Sequence, residues 1–213
     1  TGGRAGRRGG SFLTSPEVGP LFGAVLARAI DSWWRDSGEP DRWTVVDAGA
    51  GPGTLARAVL AAGPACAAAL ELVCVERTAA QRALHPSGVT SAVDLPDEAD
   101  VIVANELLDN LPFGMLERTP DGWVEVEVTD HGRTTPDTGG PRIPLASGAA
   151  AWVGDARRRL RPGGHLVCFD YADTTAALAG RPWSRWVRAF AGQEQLADPF
   201  AEPGTRDITL VVP

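Results

Sequence analysis

Two short stretches of this chain combine residue types that can hold a charged small molecule and act on a reacting group. In Asp47-Ala48-Gly49-Ala50-Gly51-Pro52-Gly53-Thr54 an acidic residue closes an apolar run, glycines take alternate positions, and a helix-type segment begins. Glycine permits positive φ and has no Cβ, so the main chain can lie against a nucleoside-sized molecule. The free N–H groups of the emerging helix suit a carboxylate or phosphate. Glu76 ends the next apolar run, 29 positions after Asp47. A carboxylate there can accept both vicinal hydroxyls of a ribose, a contact open to nicotinamide and adenosyl ligands alike. The second stretch is Ala104-Asn105-Glu106-Leu107-Leu108-Asp109-Asn110-Leu111-Pro112. Glu106 and Asp109 are three apart, so in a helical turn both carboxylates would share one side. Such a pair suits a guanidinium, with neutral loop or capping roles as the alternative. Asp94-Leu95-Pro96 adds an acid able to accept from an adenine amino group and an apolar side chain to lie on the ring, or it is a polar loop.

Spacing separates the candidate ligands. Dinucleotide folds show GxGxxG, whereas here Asp47 precedes Gly49-x-Gly51-x-Gly53, the pattern of S-adenosylmethionine-dependent methyltransferases. The acid then faces the cationic amino-acid portion of the ligand, and no pyrophosphate has to be accommodated. S-adenosyl-L-methionine is therefore the expected cofactor, against a dinucleotide or a plain structural turn.

The elements that must position these residues follow from the period of the apolar residues. Short apolar runs at Thr44–Ala48, Glu71–Glu76, Asp100–Asn105 and His165–Tyr171 predict strands, with a weaker one at Val89–Val93. Helical stretches at Thr54–Ala62, Thr78–Leu84 and Ala149–Leu160 alternate with them. This is the pattern of an α/β fold with a mainly parallel sheet and helices on both faces. Between Phe113 and Pro144 the pattern breaks: Gly114–Arg118 and Trp123–Thr129 flank Pro120-Asp121-Gly122, which predicts a β-hairpin insertion after the fourth strand. Upstream, Thr14-Ser15-Pro16-Glu17 is a helix-start signal. Val18, Leu21, Phe22, Val25, Leu26, Ala29, Ile30 and Trp33 then share one helical face, with Gly19 and Pro20 weakening the first turn. Residues 1–11, with five glycines and three arginines, read as a flexible lead-in, and 12–213 as a single domain.

Composition narrows the function classes. The chain has 213 residues and a formal charge of −7, and all 20 basic residues are arginine. Without lysine there is no Schiff-base, Walker-type or general-base lysine. The negative charge argues against nucleic-acid binding and favours a cationic or neutral substrate. Cys66, Cys74 and Cys168 form no CxxC and are expected to be small buried residues. His85, His131 and His165 show no metal-ligand spacing and are expected in structural or exposed positions, so no metal site is expected. No apolar run reaches the length of a membrane span, and the expected location is the cytoplasm.

At this point a resemblance carries weight. Gly10-Ser11-Phe12-Leu13-Thr14-Ser15-Pro16-Glu17-Val18, Leu21-Phe22-Gly23, the glycine loop, the Asn105-Glu106 block and Pro203-Gly204-Thr205-Arg206-Asp207-Ile208-Thr209 together resemble the MidA-like family, whose members include bacterial proteins. The similarity runs from about Gly10 to the last residue. It implies a class I methyltransferase (Rossmann-like) fold and, by a characterised mitochondrial member, symmetric dimethylation of a protein arginine. It further implies that Gly49, Gly51 and Gly53 bind the cofactor, that Asp47 and Glu76 face its polar groups, and that Ser15, Pro16 and Glu17 help roof it. Asn105, Glu106 and Asp109 would face the substrate. Family members often carry Glu where Asp47 stands, and they continue beyond Pro213 through a helix and a final strand, so C-terminal elements are expected to be missing here. Two rival readings remain open. One is a small-molecule O- or N-methyltransferase whose pocket is walled by Trp123, Trp152, Trp183 and Trp186; the other is a noncatalytic assembly factor that keeps the cofactor fold. The oligomeric state is not written in the sequence.

Overall fold

The structure, a computed structural model, describes residues 19–129, 132–135, 137–191, 194–196 and 205–213. In chain order the first elements are α1 (Leu21–Asp36), β1 (Trp43–Ala48), α2 (Thr54–Ala61), β2 (Leu70–Val75), α3 (Ala79–Arg82), β3 (Thr90–Ala92) and β4 (Ala99–Asn105). A 3₁₀ turn at Leu108–Asn110 leads to β5 (Gly114–Thr119), β6 (Gly122–Glu125), β7 (Val128–Thr129), β8 (Gly132–Arg133) and β9 (Arg142–Leu145). Then come α4 (Ser147–Arg159), β10 (Leu160–Phe169), α5 (Thr175–Ala179), a 3₁₀ turn at Trp183–Arg185, β11 (Val187–Ala191), β12 (Glu194–Leu196) and β13 (Asp207–Leu210).

The chain divides into two compact units. One contains the described residues up to Asn105 together with Gly154–Phe169; the other contains Glu106–Val153 and Asp170–Pro213. The first unit is built on a five-stranded sheet of order β10-β4-β1-β2-β3, every neighbouring pair parallel. This is the Rossmann-like α/β architecture expected from the alternating pattern. All six residues of β1 and the first six of β4 are buried, as befits strands covered on both faces. Register aligns the carboxyl ends: Ala48 lies opposite Val75 and Ala104, Val75 opposite Ala92, and Asn105 opposite Phe169. Gly49, Glu76 and Asn105 therefore come to one edge of the sheet. Below that edge, Asp100 Oδ2 on β4 accepts the Thr44 N–H of β1 at 2.7 Å and Arg161 Nη1 of β10 at 2.7 Å, tying three strands together.

The first helix keeps Leu26 and Ile30 of its predicted face in the core, with Phe22 and Trp33 packed against it, and departs from that face at Leu21 and Val25. Leu21 is 75% and Val25 59% exposed, while Gly23, Leu26, Ala27 and Ile30 are buried. The cause is a close helix crossing. A methyl group built on Gly23 would overlap the Cβ of Ala58 on α2, so the small residues, not the largest apolar ones, set which side faces inward. Pro20 at the N-cap starts the helix instead of weakening it, because its φ of −73° is already helical. Gly23→Ala is expected to lower stability by about 1–3 kcal/mol through overpacking, read as a shifted urea midpoint at constant m value.

The second unit contains the expected hairpin. β5 and β6 pair antiparallel around Pro120-Asp121, and β9 adds to the other side of β5. Its core gathers Met115, Leu178, Trp186, Val187 and Leu210. Arg142 and Glu117 are both buried and joined Nε to Oε2 at 2.8 Å; Arg142 Nη2 also donates to Asp137 Oδ1 at 2.8 Å, and its guanidinium stacks 5.0 Å over Trp183. A second antiparallel sheet, β12-β11-β13, includes two strands, β11 and β12, that the apolar pattern did not reveal. Cys66 and Cys74 are buried as expected, but Cys168 is exposed, because it lies on β10 at the end of the sheet order.

Candidate functional site

The glycine loop is the most tightly specified part of the first unit. β1 carries Asp47 to the sheet edge, where it is only 5% exposed. Its Oδ2 is buried and has no hydrogen-bond partner among the described residues. Burial pushes its carboxyl up to about 7, opposed only by the backbone N–H of Ala56 at the start of α2. Gly49, Gly51 and Gly53 have φ of 72°, 53° and 79°, conformations that L side chains rarely adopt. Their surroundings differ. A Cβ on Gly53 would come within 2.9 Å of Pro86 Cδ, whereas one on Gly51 would meet nothing within 4 Å among the described residues. Gly53 is thus needed for packing, while Gly51 borders open space.

Glu76 follows β2 and grips the loop. Its Oε2 accepts the Gly51 N–H at 3.2 Å and its Oε1 the Thr78 N–H at 2.7 Å. Each oxygen retains a lone pair for a further donor. His85, expected only in a structural or exposed place, reaches the same loop: its Nε2 is 2.9 Å from the Gly51 carbonyl oxygen, and its Nδ1 is 2.8 Å from Ser91 Oγ. Asp94 is exposed just past β3, and Leu95 is half-buried. Arg159 Nη1 donates to the carbonyls of Leu95 and Pro96 at 3.0 and 3.1 Å, and Asp155 holds Arg159 from one turn earlier on α4. That arginine went unnoticed in the sequence because its partners are backbone atoms 63 and 64 residues away. Asn105 is the half-buried last residue of β4. Ser15, Pro16 and Glu17 lie outside the described residues.

In the second unit the carboxylates after β4 are arranged differently from the expected single helical turn. Glu106 has φ +50°, a left-handed conformation unusual for a side chain this long, and it precedes the 3₁₀ turn that holds Asp109. Asp109 is 6% exposed, and its Oδ1 accepts the Asn110 amide at 2.7 Å. Its carboxyl is pushed up to about 7, first by burial and then by the charges of Asp170 and Glu106. Asp170 is the residue the sequence pattern hid. It closes β10, and its Oδ2 accepts the N–H groups of Leu108 at 2.8 Å and Asp109 at 3.4 Å, while Oδ1 accepts that of Tyr171 at 2.9 Å. Burial nevertheless raises its own pKa. The predicted strand ran on to Tyr171 and so absorbed this acid; asking which polar residue closes each strand would have found it.

Residues 25–140, more than half of the chain, match the family described as "Putative S-adenosyl-L-methionine-dependent methyltransferase". The chain belongs to this methyltransferase family. It is 25% identical to mouse "Protein arginine methyltransferase NDUFAF7, mitochondrial", over 95% of this chain and 58% of that protein. The Drosophila melanogaster homolog is 26% identical over 96% of this chain and 58% of its own length. The chain thus spans little more than half the length of these mitochondrial relatives. Among solved structures it is similar to a COG1565 superfamily member and likely methyl transferase from Burkholderia thailandensis bound to S-adenosyl-homocysteine, with TM-score 0.80 and 26% identity over 97% of this chain and 62% of that one. A native structure of a COG1565 superfamily protein from the same organism gives TM-score 0.76 and 26% identity, over 98% and 65% of the two chains. These matches carry the MidA-like resemblance and the class I methyltransferase fold.

The residues of the first unit fit S-adenosyl-L-methionine. Among the described residues, a buried carboxylate oxygen without a partner at Asp47 suits a cationic ammonium, open space beside Gly51 admits a ligand against bare backbone, and Glu76 has acceptor capacity for ribose hydroxyls. Among the described residues no group of three or more His, Cys, Asp or Glu is placed to hold a metal ion, and no helix is long and apolar enough to cross a membrane.

Proposed function

We propose that this protein transfers a methyl group from S-adenosyl-L-methionine to an arginine nitrogen of a protein. The observation that carries the proposal is the acid group after β4: Asp109, buried, with its carboxyl raised to about 7 by burial and by the neighbouring charges of Asp170 and Glu106. Like charges held close together favour protonation, and a guanidinium is the cation whose planar fork of donors best matches several carboxylates. The arginine methyltransferase name of the mitochondrial relatives supports the same acceptor. The chain's negative charge does so too.

When bound, S-adenosyl-L-methionine supplies an activated methyl group on a sulfonium, so alignment is the main demand on the protein. Asp47 would hold the amino end of the ligand, Glu76 the ribose, and the Asp94-Leu95 loop, pinned by Arg159, the adenine. Asn105 and Glu106 would orient the guanidinium and stabilise its charge. Asp109, with a pKa matched to neutral solution, would accept the proton that the attacking nitrogen gives up. Asp170 would act through Asp109 by fixing the backbone of its turn.

The four tryptophans named for a small-molecule pocket have separate surroundings, and Trp152 packs against Leu108, Ala149 and Val212. Trp186 is fully buried in the core and Trp183 is stacked under Arg142, while Trp123 is exposed beside Arg118. The deciding experiment incubates the protein with S-adenosyl-L-methionine and, separately, a proteome and a metabolite extract, followed by mass spectrometry. Gains of one or two methyl groups on peptide arginines support the proposal. Methylated metabolites with unmodified peptides would replace it.

A further inference from the structure

The glycine loop raises a problem that its own residues do not solve. Three glycines in seven positions leave the backbone with more freedom than side-chain-bearing residues would there, and a site that must be ordered by its ligand loses affinity in the ordering. Gly51, which borders the open space, is held by two side chains, one on each of its polar groups. Glu76 accepts its N–H, and His85 meets its carbonyl.

A carbonyl oxygen can only accept, so Nε2 of His85 must carry the hydrogen. In the neutral ring Nδ1 is then the acceptor, and the Ser91 hydroxyl donates to it. The result is a directed chain, from the Ser91 hydroxyl to the imidazole to the Gly51 carbonyl. It anchors the loop to β3, since Ser91 is paired with Cys74 of β2 in the same sheet. The imidazole also lies against the loop sterically: a Cβ on Gly53 would sit 3.3 Å from His85 Cδ2.

We infer that His85 is a positioning residue for cofactor binding, fixing the Gly51 peptide from the β2–β3 connection so that the loop is ordered before the ligand arrives. The inference rests on the glycine loop being the adenosyl-ligand site. Its test uses the whole chain and S-adenosylhomocysteine as probe, with affinity measured by calorimetry and stability by urea titration. His85→Phe keeps the ring's bulk but removes both hydrogen bonds, and should weaken binding about tenfold. His85→Gln places an amide N–H at a reach similar to Nε2 and should recover affinity to within about twofold of wild type. Nitrogen-15 shifts of His85 should show the hydrogen on Nε2, with Nδ1 unprotonated.

An H85F protein that is destabilised yet binds S-adenosylhomocysteine as wild type does would overturn the inference, leaving His85 a purely structural residue. So would an H85Q protein as weak as H85F, or a ring whose hydrogen sits on Nδ1. If the wild-type chain itself fails to bind S-adenosylhomocysteine, the cofactor assignment falls and this inference with it, a result distinct from all of those.

Discussion

Glu106→Gln is expected to cut methyl transfer by about 10²–10³-fold while S-adenosylhomocysteine binds within about twofold of wild type. The substitution keeps the side chain's length and removes only its charge. It also leaves the backbone problem unchanged, because Gln meets the same steric penalty as Glu at φ +50°. What disappears is one of the carboxylates proposed to draw in the guanidinium and balance its charge. The complementary change, Asp109→Asn, should flatten the rise in rate through pH 7 that a proton acceptor of that pKa produces. Single-turnover rates at saturating cofactor, set beside calorimetric affinities, decide the matter. Unchanged turnover in E106Q would remove Glu106 from the site, and a retained pH profile in D109N would remove Asp109 as the acceptor.

The second large effect concerns pH and Asp47. Its folded pKa of about 7 lies well above the ordinary 3.8, and burial is the main cause. A carboxyl raised in this way adds stability below pH 3.8, and that contribution is lost as pH climbs from about 4 to 7, because ionising the buried group is unfavourable. The ligand-free protein should therefore lose stability over this window, and Asp109 acts in the same direction. A cationic ammonium bound at Asp47, as proposed, would reverse the balance by pairing with the ionised form. The rise in melting temperature caused by S-adenosylhomocysteine should accordingly be larger at pH 7.5 than at pH 5.5. Asp47→Asn should abolish that pH dependence and weaken binding about thirtyfold or more, since the ammonium loses its charged partner. The ligand-free variant should also be more stable than wild type at pH 7.5. A thermal shift that is flat with pH in the wild-type protein would show that Asp47 does not meet the ligand's charge.

Much of the first unit was legible in the chain because its information is local. The run from Trp43 to Ala48 is buried on both faces, and only a central strand tolerates that pattern; the glycines that follow announce a backbone conformation no other residue takes comfortably. The hairpin at Pro120-Asp121 was equally visible, since turn chemistry and alternation lie within a dozen residues. The failures share a cause as well. The inward face of α1 differs from the expected one at Leu21 and Val25 because Gly23 meets Ala58, and nothing near Gly23 in sequence foretells a neighbour 35 residues away. The strands β11 and β12 were missed because their pairing with β13 joins segments of little apolar contrast.

The candidate site divides along the same line. The sequence by itself determined the chemistry on offer: an acid before three alternating glycines, a carboxylate closing the second strand, and two more after the fourth, with no lysine to carry a different mechanism. Residue type and short spacing suffice for that, because strand ends and tight turns are built from contiguous residues. Only the tertiary structure decided the electrostatics and the supports. It buried Asp47 with an oxygen unpaired among the described residues, brought Asp170 to the backbone of the Asp109 turn, and swung His85 onto the Gly51 carbonyl. Desolvation and hydrogen bonds across 34 to 62 residues depend on how the chain packs, and a local pattern holds no record of them.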